Sequence, residues 1–156
     1  MGLRDQITTA LKEAMKTRDA TRLSTLRLIT AAIKDRDIAL RAEGRDSGVS
    51  EAEIQTILAK MVKQRQESAR TYEEAARLEL AESERAEIAV IEDFLPRQLS
   101  EEEVASAVDA AVAELGAGSI RDMGRVMGLL KERHAGQMDF AAVGGMVKAR
   151  LGQGGA

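Results

Sequence analysis

Residues 50–62 read Ser50-Glu51-Ala52-Glu53-Ile54-Gln55-Thr56-Ile57-Leu58-Ala59-Lys60-Met61-Val62. Ser50 and Glu53 have the spacing of a capping box, in which a hydroxyl and a carboxylate each satisfy one unpaired amide at a helix start. Immediately afterwards Ile54, Ile57, Leu58, Met61 and Val62 recur at steps of three and four. That spacing lines one face of a helix and would scatter over both faces of a strand. A helix therefore starts at residue 50, and the stretch continues through Ala69 to Tyr72.

The same pattern extends in both directions. Upstream, Gly44, Asp46, Ser47 and Gly48 mark a loop over 43–49. Before it, Leu3, Ile7, Ala10, Leu11, Ala14 and Met15 predict a helix from Leu3 to about Thr17. Asp19 reads as the N-cap of a second helix reaching about Arg41, with Leu23, Leu26, Ile29, Thr30 and Ile33 inward. Downstream, Leu80, Ile88, Ile91 and Leu95 predict a helix from about Leu78 to Phe94, ending before Pro96, which disfavours helix at the residue preceding it. After Pro96 the helices shorten. Ser100 and Glu103 form a second capping box, followed by Val104, Val108, Val112 and Leu115 and closed by Gly116. Ser119 caps a helix that carries Met123, Val126, Met127 and Leu130. Asp139 caps a last one with Phe140, Val143, Met146, Val147 and Leu151.

Composition agrees with an all-α fold. One proline, one tyrosine, two phenylalanines and no tryptophan leave the core to aliphatic residues and methionine, and β-branched runs of strand length are missing. Pro96 predicts a boundary between an N-terminal domain of about four helices (1–96) and a small three-helix C-terminal domain (97–151), with 152–156 a disordered tail. Cysteine is absent, which excludes disulfides and thiolate chemistry and fits a reducing compartment. Met1 to Gln6 holds no apolar signal core, and Gln6 stands where a myristoylation motif wants Ser or Thr. No apolar run approaches the ~20 residues of a membrane helix. The expected location is the cytoplasm, with no membrane partner.

The net charge of −3 hides an uneven distribution. Residues 1–41 carry nine basic and five acidic groups (+4), 42–99 eight and thirteen (−5), 100–115 none and five (−5), and 116–156 six and three (+3). Local potential, rather than net charge, governs encounter with a polyanion.

Catalytic readings find little to stand on. A single histidine, His134, and no cysteine remove the usual zinc sites and the Cys–His or Ser–His nucleophile pairs. Gly116-Ala117-Gly118-Ser119-Ile120-Arg121 begins like a dinucleotide fingerprint, but Arg121 replaces the third glycine and no strand precedes it. Glu84 and Glu87 read as solvated helix-face charges. No catalytic residue, metal ligand or cofactor is expected.

Two surfaces ask for an explanation. Lys60, Lys63 and Arg65 crowd about one and a half turns, and Lys60, Gln64, Ser68 and Tyr72 fall at i, i+4, i+8 and i+12. This is either a solvated face with Tyr72 docked on a neighbouring helix or a partner-facing surface. Gly124 and Gly128 each cost about 1 kcal/mol relative to Ala inside a helix, so propensity did not place them. Glycine lets another backbone come close, either that of an adjacent helix or a ligand's phosphodiester. Arg121 and Arg125 flank Gly124 near a helix N-terminus, where the dipole favours anions. Lys131 and Arg133 follow, and Lys148 extends the patch if the last two helices pack antiparallel. Gly144-Gly145 interrupts the last helix.

The chain resembles the GatB/YqeY family, that is, YqeY proteins and the related tail region of the B subunit of the tRNA-dependent amidotransferase. The resemblance rests on Leu23-Ser24-Thr25-Leu26-Arg27 with Ala31-Ala32-Ile33-Lys34, and on Lys63-Gln64-Arg65 with Ser68 and Tyr72. It continues through Arg77, Leu80, Glu84 and Glu87 to Phe94-Leu95-Pro96-Arg97-Gln98-Leu99-Ser100, and ends on Asp122-Met123-Gly124-Arg125-Val126-Met127-Gly128. Phe94 departs from the Tyr expected before Leu-Pro, which loses a hydroxyl. The resemblance implies two helical domains and a role in holding tRNA while other domains perform glutamine-dependent amidation. The amidotransferase label then describes kinship, because the amidase Ser-Ser-Lys machinery is missing. The expected function is a tRNA-binding accessory module, with a synthetase or amidotransferase as possible protein partner and DNA not expected. A helical adaptor that docks on protein is the alternative. The expected RNA contacts are Arg121, Gly124, Arg125, Gly128, Lys131, Arg133 and Lys148, with Lys60, Lys63, Arg65 and Tyr72 as a second surface.

Overall fold

Capping and stripe spacing carry through to the structure. The computed structural model describes residues 2–154, and every regular element among them is helical. The chain divides into two compact units, Met1–Pro96 and Arg97–Ala156.

The first unit holds α1 (Leu3–Thr17), α2 (Ala20–Ala42), α3 (Glu51–Glu74) and α4 (Leu78–Glu92). Asp19 caps α2 by accepting from the Arg22 amide at 3.1 Å. The short turn at Arg18 and Asp19 folds α1 back along α2, and Arg4 closes the far end on Asp37 at 3.0 and 3.1 Å. At the start of α3 both halves of the capping box are made, each at 3.2 Å. Arg45, then the Ser50 amide, hold the Glu53 carboxyl down to a pKa of about 2. Leu26, Ile29, Leu58 and Ile91 are sealed from solvent and centre the core, joined by Leu3, Ile7, Ile33 and Ile54. Thr25, equally buried, satisfies its hydroxyl on the Thr21 carbonyl at 2.8 Å.

Beyond Val62 only Ala69 of α3 is buried, and before Ile88 only Ala81 of α4. These small residues let the two helices run close, and two ion pairs, Arg65–Glu87 and Arg85–Glu73, tie them together. This corrects the expected stripe of α4. Leu80 is 39% exposed, because Ala81 rather than Leu80 faces α3. Met15, at 48%, lies off the buried line of Leu3, Ile7, Ala10 and Ala14. Helix α4 also ends at Glu92 rather than Phe94.

The second unit holds α5 (Glu101–Leu115), a 3₁₀ turn (Ile120–Asp122), α6 (Met123–Arg133) and α7 (Phe140–Gly154). The Ser100–Glu103 capping box is made at 3.1 Å on both sides. Arg97 grips the same carboxylate through two nitrogens at 2.9 Å, and with the Ser100 amide holds its pKa near 2. Gly116 ends α5 with φ +60°, where an L side chain would be strained. Residues 97–99 are bonded to the loop before α7. The Leu99 amide donates to the Gln137 carbonyl, and the Gln98 side chain to Gly136. Val108, Val112, Val126, Leu130, Val143, Val147 and Leu151 form the core.

Three expectations change in this unit. Met146 is 41% exposed, off the line of Val143, Val147 and Leu151. Gly144 and Gly145 do not interrupt α7, because buried residues on both sides hold the helix continuous. The tail expected to be disordered from residue 152 instead continues α7 to Gly154, extending the turn that Leu151 anchors, and residues 155 and 156 lie outside the described residues. No helix among the described residues is long and apolar enough to cross a membrane.

Candidate functional site

Helix α6 has one committed face and one open face. Val126 and Leu130 are sealed in the core. At 100° per residue, Gly124 and Gly128 each sit about 200° round from Val126, on the opposite side, and Lys131 falls beside them. All three are exposed. A Cβ placed on either glycine meets nothing within 4 Å. Close helix packing, one of the two explanations open for these glycines, finds no support among the described residues: nothing packs where a side chain would stand. Gly144 does face a neighbour: a Cβ there would lie 3.8 Å from the Met123 methyl and 3.9 Å from that of Met127, which is ordinary side-chain contact.

The cations around this bare strip divide into two groups. Arg125 is exposed but already bonded, 3.3 Å from Asp122 and 3.4 Å from the Leu115 carbonyl. Arg133 is paired with Glu114 at 2.6 Å. Arg121, Lys131 and Lys148 are exposed, and their side chains make no hydrogen bond or ion pair among the described residues. Arg121 precedes Gly124 from the 3₁₀ turn, and Lys131 follows Gly128. Lys148 lies one turn after Gly144, on the side of α7 that adjoins Met123 and Met127.

The loop ahead of the 3₁₀ turn is held by a carboxylate of its own. The Asp122 carboxylate accepts from the Gly118 amide at 3.0 Å and the Ser119 amide at 3.3 Å. Those two bonds, helped by Arg125, lower its pKa. Those amides lie ahead of the 3₁₀ turn, and the Asp122 side chain does not cap α6 itself. It nonetheless sets a negative charge at the start of that helix, where the dipole argument expected a phosphate, so the attraction of this surface rests on its free side chains. The Asp122–Arg125 spacing of three was legible in the sequence as an ion pair; the Arg133–Glu114 pair, 19 residues apart, was not.

The second surface on α3 is broken up. Lys60 and Lys63 are exposed, but Arg65 is drawn in. Its side chain is 14% exposed, bonded to Glu87 at 2.8 Å and to the Met61 carbonyl at 3.2 Å. Glu87, read as a solvated charge, is its partner. Tyr72 is half-buried beside Gln64, Glu67, Ser68 and Thr71, in a shallow groove lined from α3 alone. His134 faces Gln137 at 3.2 Å, and no group of His, Asp and Glu among the described residues could hold a metal ion.

Comparison with known proteins identifies the family. The family described as YqeY-like protein matches residues 4–151. A fungal relative from Eremothecium gossypii, named altered inheritance of mitochondria protein 41, mitochondrial, is 32% identical over 107 residues. The match takes in 67% of this chain and 56% of that protein, so the chain spans little more than half the length of this relative.

Proposed function

The chain belongs to the YqeY-like protein family, and from that premise we propose that it is a tRNA-binding accessory module. The observation that carries the reading is the bare, exposed strip over Gly124 and Gly128, set between Arg121 and Lys131 with Lys148 beside it. A side-chain-free strip lets a phosphodiester backbone approach the helix, and unpaired cations can exchange water for phosphate without first breaking an internal bond. Structured RNA suits it better than single strands, whose binders stack bases on aromatic rings; this chain has three aromatic residues in all. The module works by holding RNA, in the cytoplasm, for an aminoacylation or amidation enzyme that supplies the chemistry. The link to glutamine-dependent amidotransferase is kinship.

A protein-docking adaptor is the second reading, favoured by Leu78 at 62% and Leu80 at 39% exposure near the α3–α4 turn. Salt separates the two. Labelled tRNA titrated with purified protein at 50 and 200 mM salt should lose affinity steeply, as counterion release weakens. No binding at low salt, or binding indifferent to salt, would displace the RNA reading.

A further inference from the structure

Helix α2 carries five cations, and the structure sorts them. Arg22 is bonded to Asp93 at 2.9 Å, and Arg36 lies 3.8 Å from Glu53. The side chains of Arg27, Lys34 and Arg41 are exposed and make no hydrogen bond or ion pair among the described residues, although Arg41 is near enough to Asp37 to help lower its pKa. These three are spaced by seven residues. Seven residues turn a helix through 700°, 20° short of two full turns, so the three side chains leave on nearly one line. Adjacent members are about 10.5 Å apart, and the row is about 21 Å long. Ala31 and Ile38, which share this side, are uncharged, and Ile38 is 62% exposed.

We infer that this row is a second RNA-contacting surface, which binds the phosphates of a structured RNA along α2. The spacing selects the ligand. At about 10.5 Å each cation stands beyond a Debye length of about 8 Å from the next, so the three do not strongly repel one another. A phosphate ion or mononucleotide can meet only one of them, whereas a polyanion meets all three at once. No aromatic side chain lies on the row for bases to stack on, which leaves phosphate contact and shape as the means of recognition. The row supplies three of the nine basic groups behind the +4 charge of residues 1–41, none of which the site on α6 uses. The inference rests on the proposal that the protein binds tRNA, and adds a contact on the first unit independent of the one on the second.

The test compares two triple variants of the full chain, Arg27→Gln/Lys34→Gln/Arg41→Gln and Arg121→Gln/Lys131→Gln/Lys148→Gln, by tRNA anisotropy at 50 and 200 mM salt with helicity checked by circular dichroism. Three lost phosphate contacts should lower the slope of log affinity against log salt by about 2.1 to 2.7. The ratio of wild-type to α2-variant affinity then shrinks roughly 20- to 40-fold between those salts. Arg27→Lys/Arg41→Lys, which keeps the charges, should keep the slope. If the α2 variant matches wild type while the α6–α7 variant loses its slope, the row is not an RNA contact and the proposed function stands. If only the α2 variant loses its slope, the row is confirmed and the α6 assignment fails. Poly-L-glutamate serves as an acidic-polypeptide probe: a variant that loses it but keeps tRNA would make the row a protein surface and overturn the inference. Wild-type protein that binds no tRNA at 50 mM salt overturns both.

Discussion

Replacing Gly128 with alanine should make the protein more stable and a weaker RNA binder. Residue 128 lies in the interior of α6, and a Cβ there meets nothing within 4 Å. The substitution therefore adds no clash. It removes the extra conformational freedom that glycine gives the unfolded chain and raises helix propensity, gains of about 0.4–1 kcal/mol. Gly124, in the first turn of α6, should give less, so the double variant gains about 0.5–1.5 kcal/mol. Calorimetry or denaturant unfolding, with the midpoint compared at unchanged m-value, reads the stability. Anisotropy with labelled tRNA reads the second effect, because two methyl groups lift a phosphodiester off the strip. Destabilisation by either alanine would show that something packs on these glycines and would refute the open face. Greater stability with tRNA binding unchanged would leave the geometry intact and remove its functional meaning.

Other expectations follow from the same contacts. Glu53 and Glu103 have folded pKa values of about 2 against an ordinary 4.5; a carboxyl lowered on folding contributes stability above its unfolded pKa and loses it as pH falls through the folded value. Unfolding followed by circular dichroism should show stability declining between pH 4.5 and 2, and Glu53→Gln/Glu103→Gln should flatten that decline. Arg65→Met should leave Glu87 without its partner in a half-buried setting and cost about 1–3 kcal/mol in chemical denaturation; no loss would mean the pair is solvated after all. Limited proteolysis should release a stable fragment close to residues 1–96, because residues 97–99 are bonded to 136–137; cuts only inside helices would contradict that joint.

Much of the fold was legible because local rules carried it. The capping boxes at Ser50 and Ser100, the Asp19 cap and the αL glycine at 116 each act within four residues, and the sequence displays all of them. The stripes failed where a neighbour, not the period, decided the face. Leu80 and Met146 fit a helical repeat but lost the inward position to Ala81 and to the line of Val143, Val147 and Leu151. The site was harder to read. Charge and spacing pointed to Arg121, Arg125, Lys131, Arg133 and Lys148 alike, yet the pairs that tie up Arg65 and Arg133 join residues 22 and 19 positions apart. Sequence distance hides such pairs until the helices pack. The glycine pair had two open explanations for the same reason: whether a helix lies over a bare face is a tertiary fact.

The central claim is that RNA meets the protein over Gly124 and Gly128, and glycine amides allow it to be watched directly. Substoichiometric tRNA added to ¹⁵N-labelled protein at low salt should broaden the amide signals of Gly124, Gly128 and their neighbours Arg121 and Lys131 first, with recovery on raising the salt. Signals that broaden only around Tyr72, Leu78 and Leu80, or a spectrum unchanged by tRNA, would contradict it.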